Sequence, residues 1–451
     1  MRALQRQFRA SPLTIQRTVS QLVSEGLIVT RPGDGSFVAQ PTSTQDTRQQ
    51  TKDDHADIRW QASLLGRAPL IPGGLDYLAT TARPGVIALD SGFPDQSLQP
   101  QALLGRAAAR AAKRPESWDR SLPEGTAALR RFFAHELRED FDSADVVITP
   151  GVQSAIDSVF RAFAQPGDCV VLEEPCYPGA IAAATFSGLR IVPVPSDRDG
   201  MRTDLFAEAV ERSGARLAFV QPRHANPSGS VLGLQRRTEL LNIAHRFGMF
   251  VLEDDWVRDL DLNLDDHGRQ RALTPAPLAT LDQFGHVLYL RSLSKTTAPG
   301  IRVGAVIARG QAAARLRAVR VITDFFVSPL LQYTVLELMQ DRGWNRHLDH
   351  MRNELRYRRD LLVRDLAEKA PELAIETPRG GVALWARLPS AIDETTFVHE
   401  CRARGVVLGT GRNYWLSEPP AGHVRISFAA APWPMLAEAS SRIGAVHDLL
   451  R

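Results

Sequence analysis

The chain has 451 residues, of which 44% are hydrophobic and 23% charged, ordinary values for a globular protein with a large core. No segment reaches the roughly 20 apolar residues that a membrane helix needs, and no signal-peptide pattern opens the chain. Three cysteines are too few for a disulfide framework and do not have the spacing of metal ligands. The net charge of +3 lies entirely in residues 1–40, where five arginines face two acidic residues. We therefore expect a cytoplasmic protein with a basic N-terminal piece and no metal.

The basic piece has the element order of a DNA-binding module. Residues 2–9 are predicted to form a short helix, and apolar residues recur at helical spacing over 11–26. Strands are predicted at 27–30 and 36–39, on either side of the tight turn at 31–35. Two helices followed by a β-wing, with local positive charge, are typical of a winged helix-turn-helix.

The segment SEGLIVTRPGDGSFVA resembles the GntR-type winged helix. The resemblance implies that 11–26 is the reading helix and that residues 1–40 bind DNA. That family has a further helix ahead of the point where this chain starts, so we expect the module to lack its first helix. The alternative is a small α/β cap on the next domain. The DNA contacts implied by the resemblance are Ser11, Thr14, Gln16 and Arg17 on the helix, with Arg31 and Gly35 at the wing tip.

Residues 41–57 are polar and have no hydrophobic period, so they are predicted to be a linker to a second domain over 58–451. In that domain short apolar segments alternate with helical patterns, which predicts an α/β fold with a mostly parallel sheet covered by helices. Ligands of such sheets lie outside the carboxyl ends of the strands. The predicted strands are 146–148, 169–172, 190–194, 217–220, 250–252 and 287–290.

The chain contains only four lysines, and one of them is a candidate for amine chemistry. Lys52 lies in the linker, Lys113 ends an Ala/Arg-rich helix, and Lys369 lies on a mixed-charge helix, all typical of solvated side chains. Lys295 instead follows a buried strand, in the pattern S-x-S-K-x-x-x-P-G-x-R-x-G.

The residues around Lys295 suit a phosphate. Hydroxyls of Ser292 and Ser294 and the guanidinium of Arg302 would bind that group while the lysine amine attacks an aldehyde carbon. The strand-to-helix turn at 149–154 adds amides of Gly151, Val152 and Gln153, although many α/β proteins turn this way for structural reasons alone.

Three further strand ends carry candidates for contact with an aromatic cofactor. Tyr177 offers a ring for stacking, although an isolated tyrosine is more often a packing residue. Asn226, in the segment NPSG, offers an amide to a phenolate oxygen. Asp254 could pair with a pyridinium nitrogen, although acidic residues at strand ends also bind Mg²⁺ in other proteins.

Together these motifs resemble the fold-type I, pyridoxal 5′-phosphate (PLP)-dependent aminotransferases, from about residue 85 to the C-terminus. The resemblance implies a large part over about 115–325 and a small part over about 330–451 plus the N-terminal segment. It implies that Lys295 forms an internal aldimine, that Asp254 pairs with the pyridine nitrogen, and that Asn226 contacts the ring hydroxyl. The remaining cofactor contacts that it implies are Tyr177 on the ring and Gly151, Val152, Gln153, Ser292, Ser294 and Arg302 on the phosphate.

The family also has an arginine near its C-terminus for a substrate α-carboxylate, and Arg425 matches it. Val424, Ile426 and Phe428 alternate with polar neighbours, which puts Arg425 on the face opposite the apolar set. A solvent-facing strand arginine is the alternative. The segment SGFPD, which contains Gly92, resembles the family's N-terminal segment that approaches the substrate through its backbone.

Two positions depart from the family pattern. Trp256 and Val257 occupy the candidate positions for a tyrosine that hydrogen-bonds the ring hydroxyl, and an indole N–H could replace one donor only. Arg120 stands where the family has a tyrosine that reaches the partner subunit's phosphate, so we still expect a homodimer.

A GntR-like module joined to an aminotransferase-like domain resembles the MocR subfamily of transcription regulators. That resemblance implies a DNA-binding protein that senses an amine, an amino acid or PLP through aldimine chemistry at Lys295. The alternatives are an active aminotransferase, acting between an amino acid and a 2-oxo acid, with a vestigial N-terminal module, and a metabolite-binding protein that does not bind DNA.

Overall fold

The computed structural model describes residues 11, 18–19, 28–31, 35–38, 73–75, 78, 84–263 and 275–451. Contacts within the chain divide it into two compact units, Met1–Pro69 and Leu70–Arg451. In the described part of the chain, no helix combines the length and the apolar composition that crossing a membrane requires.

The first unit contains a β-hairpin. Strand β1 (Ile28–Arg31) pairs antiparallel with β2 (Gly35–Val38), with Ile28 opposite Val38 and Arg31 opposite Gly35. The strand pair predicted around the turn is therefore present. Ser11 is exposed and Thr18 and Val19 are helical. The predicted helix 2–9, the linker 41–57 and the predicted DNA contacts Thr14, Gln16 and Arg17 lie outside the described residues.

The second unit is built on a mixed eight-stranded sheet, in the order β4-β11-β10-β9-β8-β5-β6-β7. The five strands from β10 to β6 are parallel, whereas β11 and β7 run antiparallel to their neighbours. All six predicted strands are present in this sheet. The strands are β4 (Val146–Thr149), β5 (Cys169–Glu174), β6 (Arg190–Asp197), β7 (Gly200–Met201), β8 (Leu217–Val220), β9 (Phe250–Asp255), β10 (Val287–Ser292) and β11 (Gly304–Ile307).

Helices cover both faces of this sheet, so the side chains of one strand alternate between two apolar cores. Val171 of β5 packs in one core, and its neighbours Val170 and Leu172 pack in the other. The α-helices of the larger unit are α1 (Gln101–Ala112), α2 (Ala127–Leu137), α3 (Val152–Phe163), α4 (Pro178–Phe186), α5 (Thr203–Ser213), α6 (Leu234–Phe247), α7 (Leu278–Leu281), α8 (Gln311–Thr323), α9 (Pro329–Met339), α10 (Trp344–Lys369), α11 (Glu394–Ala403) and α12 (Trp433–Leu450). Short 3-10 helices lie at Gln96–Leu98, Pro115–Ser117, Ser143–Asp145, Pro299–Ile301 and Gly411–Tyr414.

A second, antiparallel sheet of four strands forms the small part, in the order β12-β13-β16-β15. Val424, Ile426 and Phe428 all pack in its apolar core, as their alternation predicts. A separate parallel pair, β3 with β14, joins the segment before α1 to the small part. The bounds are β3 (Ile87–Ala88), β12 (Ala374–Ile375), β13 (Ala383–Arg387), β14 (Val406–Val407), β15 (Gly409–Thr410) and β16 (His423–Ser427).

Candidate functional site

A cavity of about 380 Å³ lies at the carboxyl ends of the central parallel strands. Strand β9 ends at Asp255, β8 ends just before Gln221, and β10 ends three residues before Lys295. The cavity brings together almost all of the predicted cofactor and substrate residues, although they come from distant parts of the chain. Those lining it are Gly92, Val152, Gln153, Tyr177, Asn226, Asp254, Ser292, Ser294, Lys295, Arg302 and Arg425.

One end of the cavity is suited to an anion. Helix α3 begins at Val152, so its first amides have no acceptor within the helix and face outward with the positive end of the helix dipole. Gly151 precedes it with φ at +88°, and a Cβ there would lie 2.6 Å from Arg302 Nη2. The N–H of Gly151 donates to the Thr149 carbonyl, so the contribution of Gly151 is its missing side chain. Arg302 Nη2 donates to the Pro150 carbonyl at 3.2 Å, which places the guanidinium over this turn.

Lys295 reaches into the middle of the cavity. Its Nζ lies 3.9 Å from the centre of the Phe93 ring and 5.8 Å from that of Trp256. Burial, with Arg425 and Arg302 nearby, lowers the pKa of the Lys295 amine to about 7 against the opposing effect of Asp254. A large fraction of this amine is therefore neutral near pH 7, the state in which it is a nucleophile.

Asp254 is almost completely buried and only one of its oxygens is engaged. Oδ2 accepts a 2.8 Å hydrogen bond from Gln221 Nε2, whereas Oδ1 has no partner among the described residues. Burial raises the pKa of Asp254 to about 7, aided by Asp255 and opposed by Gln221 and Lys295. Oδ1 of Asn226 also lacks a partner within the described part of the chain. Buried polar atoms of this kind are costly unless a ligand pairs with them.

Aromatic side chains form much of the remaining wall. Tyr177 is half-buried immediately before α4, where its ring lies close to Gly179. The side chain of Gln153 donates to the Gly179 carbonyl at 2.8 Å. The group of Gln153 suited to binding an anion is therefore its backbone N–H. Phe93 and Tyr414 complete this wall.

Arg425, on β16, also lines the cavity, and its exposed fraction is only 2%. Its Nη1 donates to the Asp90 carbonyl at 3.2 Å, and its Nε has no partner among the described residues. Gly409 of the neighbouring strand lets it approach, since a Cβ there would lie 3.1 Å from that of Arg425. A buried guanidinium with an unused donor is suited to a carboxylate.

The two positions that depart from the family pattern, at Trp256 and Arg120, can now be located, and the expectation for Trp256 is corrected. The Trp256 indole N–H donates to the His224 carbonyl at 3.1 Å, so it is not available as a substitute donor for a ring hydroxyl. Val257 packs in the core of the small part. Arg120 is exposed and does not line the cavity.

Sequence reasoning missed Gln221, Phe93 and Asp90. Phe93 lies in the SGFPD segment, next to the predicted Gly92. Its aromatic side chain could have identified it as a residue that lines the cavity. Gln221 follows a predicted strand directly, as Asp254 does. Asp90 precedes the same SGFPD segment and carries no signal of its own.

Comparisons with known proteins agree with this geometry. The family described as aminotransferase class I and II matches residues 84–443. The 2-aminoadipate transaminase of Thermus thermophilus is 30% identical over 372 residues, which are 82% of this chain and 92% of the relative. The probable rhizopine catabolism regulatory protein MocR of Rhizobium meliloti is 26% identical over 425 residues, 91% of this chain and 81% of the relative.

A solved structure has the same fold. The α-aminoadipate aminotransferase LysN of Thermus thermophilus, complexed with N-(5′-phosphopyridoxyl)-L-leucine, superposes with a TM-score of 0.75 at 27% identity. The alignment covers 84% of this chain and 97% of that one. Regulators of the HTH type from Bacillus subtilis and Escherichia coli also match, at 23% to 27% identity.

The chain belongs to the aminotransferase class I and II family. Its larger unit has the fold-type I aminotransferase fold, and its cofactor is PLP, as the sequence motifs predicted. The residues present fit that cofactor. The glycine turn beside Arg302 suits its phosphate, and a largely neutral lysine suits its aldehyde. The buried oxygens of Asp254 and Asn226 that lack a partner among the described residues suit the polar edges of its ring.

Proposed function

We propose that this protein is a cytoplasmic, PLP-binding transcription regulator whose DNA affinity responds to an amine, an amino acid or PLP. The observation that carries this proposal is the extent of the match to MocR. An alignment over 91% of the chain necessarily reaches into the first 69 residues, where no aminotransferase element is needed. The β1–β2 hairpin in that segment is compatible with the wing of a winged helix.

In the larger unit we assign the cofactor to the cavity around Lys295. The amides of Val152 and Gln153, the hydroxyls of Ser292 and Ser294 and the guanidinium of Arg302 would hold its phosphate. Tyr177 would stack on the ring, with Asn226 and Asp254 at its two polar edges. Bound PLP would supply an electron sink, and the Asp254 carboxylate would support it by pairing with the ring nitrogen and keeping that nitrogen protonated.

Arg425 would orient the ligand. Its guanidinium would bind an α-carboxylate in two parallel hydrogen bonds, close to the backbone of Gly92, and so turn the α-amino group toward Lys295. A ligand held in this way contacts both the large and the small part. It can therefore favour one arrangement of the two parts over another, which is the requirement for a sensor.

In the N-terminal unit we assign DNA contact to Ser11, Thr14, Gln16 and Arg17, with Arg31 and Gly35 at the wing. Binding through such a basic module depends mainly on phosphate contacts and weakens steeply with salt. We expect a homodimer, because two modules would then read two half-sites at a separation that the dimer sets.

The test is binding of the full chain to the DNA upstream of its own gene, measured by fluorescence anisotropy at a stated salt concentration. We expect PLP, or PLP with an amine from a panel of amino acids, to change the Kd by about 5- to 150-fold, a usual range for coupling between sites. Lys295→Ala should abolish the response, and Lys113→Ala, an exposed lysine of the same unit, should retain it. An unchanged Kd with saturating cofactor and amines would refute the sensor.

The second candidate is an aminotransferase acting between an amino acid and a 2-oxo acid. The specific observation in its favour is that Lys295, Asn226 and Arg425 line one cavity. Formation of a new 2-oxo acid from a panel of amino acids, lost in Lys295→Ala, would establish it. An amino transfer rate no higher than that of free PLP would exclude it.

A further inference from the structure

Gln221 links the Asp254 side chain to the backbone of Asn226, and these two residues are the ones proposed at the polar edges of the cofactor ring. It follows β8 directly, and only 2% of it is exposed. We infer that Gln221 is a positioning residue, which sets the separation of Asp254 and Asn226 and directs Asp254 Oδ1 to the ring nitrogen. This inference depends on the PLP site proposed above.

Three hydrogen bonds hold Gln221 in place. Its backbone N–H donates to Glu173 Oε1 at 2.7 Å, across the β5–β8 strand pair. Its side-chain Oε1 accepts from the Asn226 N–H at 2.9 Å, and its Nε2 donates to Asp254 Oδ2 at 2.8 Å. One rigid amide therefore links the segment that carries Asn226 to the end of β9.

The contact with Asn226 decides which way the Gln221 amide points. The backbone N–H of Asn226 can only donate, so the oxygen of the amide must face it and the NH2 group must face Asp254. A reversed amide would leave two donors in contact at one end and two acceptors at the other. The direction of the hydrogen bond to Asp254 is therefore set by the network.

This direction has a consequence for the carboxyl group of Asp254. Oδ2 accepts from the NH2 group, so a proton carried by the carboxyl lies on Oδ1, the oxygen with no partner among the described residues. When the carboxyl is ionised, Oδ1 is equally the oxygen free to accept from a ring N–H. In both states the shared proton would lie between Oδ1 and the ring nitrogen of a bound PLP.

The experiment compares two cofactors in the purified apoprotein, PLP and its 1-deaza analogue, in which a C–H group replaces the ring nitrogen. Affinity is measured by equilibrium dialysis and by quenching of intrinsic fluorescence. We expect Gln221→Leu to weaken the binding of PLP by about tenfold more than that of the deaza analogue, since only PLP uses Asp254 Oδ1.

Gln221→Glu gives a second variant with a different signature. Its carboxylate still accepts from the Asn226 N–H but presents an acceptor to Asp254 in place of a donor. We expect the affinity for PLP relative to that for the deaza analogue to fall at pH 8 and to recover toward pH 5.5 as the pair of carboxyl groups gains a proton. The ratio of the two affinities cancels the pH dependence of the Lys295 amine, which both cofactors share.

Gln332→Leu is the matched control. Gln332 is equally buried in the same unit, where it binds the Thr126 N–H and the Val327 carbonyl, so its loss affects the fold but not Asp254. If both Gln221 variants lost affinity for the two cofactors to the same extent, the positioning role alone would be overturned. A wild-type chain that binds neither cofactor would overturn the proposed PLP site as well, and the two failures are thereby distinguished.

Discussion

Asp254 and Asp255 are adjacent carboxylates on strand β9, both almost completely buried, and they have opposite surroundings. Asp255 accepts from Tyr289 Oη at 2.7 Å and pairs with Arg223 at 3.1 Å and Arg258 at 3.4 Å. Asp254, on the other face, lines the cavity and accepts from the neutral Gln221 amide, and its Oδ1 has no partner among the described residues. The strand therefore places one carboxylate in a structural ion-pair network and leaves the next available to a ligand.

The comparison shows how a fold can tolerate a costly site. The ion pairs around Asp255, together with those of Arg291 with Glu136 and Asp259, hold the strand ends in place. This rigid base allows Asp254 to have an oxygen that lacks a partner among the described residues. A ligand that pairs with its Oδ1 gains from a position already organised for it.

The largest expected effect is on stability and comes from removing Asp255, the aspartate in the ion-pair network. Asp255→Ala leaves Arg223 and Arg258 without a shared partner, and we expect a loss of about 3–5 kcal/mol in the free energy of unfolding. Asp254→Ala should cost much less, because the hydrogen bond that it removes is to the neutral amide of Gln221 and not to an arginine. Urea unfolding of both apoproteins, followed by tryptophan fluorescence, measures the difference, and equal losses would contradict the assignment.

The next largest effect is on reactivity and comes from replacing Asp254, the aspartate that lines the cavity. Asp254→Asn keeps the shape but removes the charge facing the cofactor, and we expect the rate of amino exchange between bound PLP and an added amine to fall by about 100- to 1,000-fold. Stopped-flow absorbance of the bound cofactor measures it. PLP binding through Lys295 should survive, so a protein that no longer takes up PLP would point instead to a damaged fold.

A third effect tests the anion end of the cavity. In Gly151→Ala the added Cβ would lie 2.6 Å from Arg302 Nη2 at a positive φ, and we expect about a tenfold loss of affinity for PLP. Pyridoxal, which lacks the phosphate, should bind as before. Gly310→Ala is the control, since Gly310 also has a positive φ but no atom within 4 Å of its Cβ position, and a similar loss there would indicate backbone strain alone.

The smallest effect is a pH dependence. With a pKa of about 7 on Lys295, the rate of PLP uptake by the apoprotein should rise tenfold per pH unit below 7 and then level off, whereas a solvated lysine would give a rise continuing toward 10.5. The same lowering means that the folded state binds fewer protons than the unfolded one between about pH 7 and 10.5. The penalty of this buried amine to stability therefore declines as pH rises through that range.

Asp254→Asn sharpens this measurement. Asp254 raises the pKa of the lysine, so its neutralisation should move the levelling-off to a lower pH. A profile unaffected by that substitution would show that the two groups are not coupled.

The α/β sheet and two residues that line the cavity could be predicted from local sequence patterns. The apolar segments of the central strands identified the α/β sheet, because strands buried on both faces need nearly continuous hydrophobic residues. Lys295 could be selected among four lysines by its flanking hydroxyls and arginine. Arg425 followed from the two-residue period of its strand, which separates a polar face from an apolar one.

Other features were not readable from any local pattern. The antiparallel direction of β11 and the adjacency of β8 and β9 depend on how the chain crosses over the sheet. Gln221 contacts Asp254, 33 positions away, through that adjacency. The engagement of the Trp256 indole with the His224 carbonyl was equally hidden, so its availability as a donor was overestimated.

The amino-acid sequence by itself determined the fold class, the cofactor and the residues that could serve it, because side-chain chemistry and hydrophobic period are local properties. Only the tertiary structure showed that Asp254 lines the cavity while Asp255 lies in an ion-pair network, and that the Gln221 amide contacts Asp254. Those properties arise from the order and direction of strands in the sheet, which bring together groups that the chain keeps far apart.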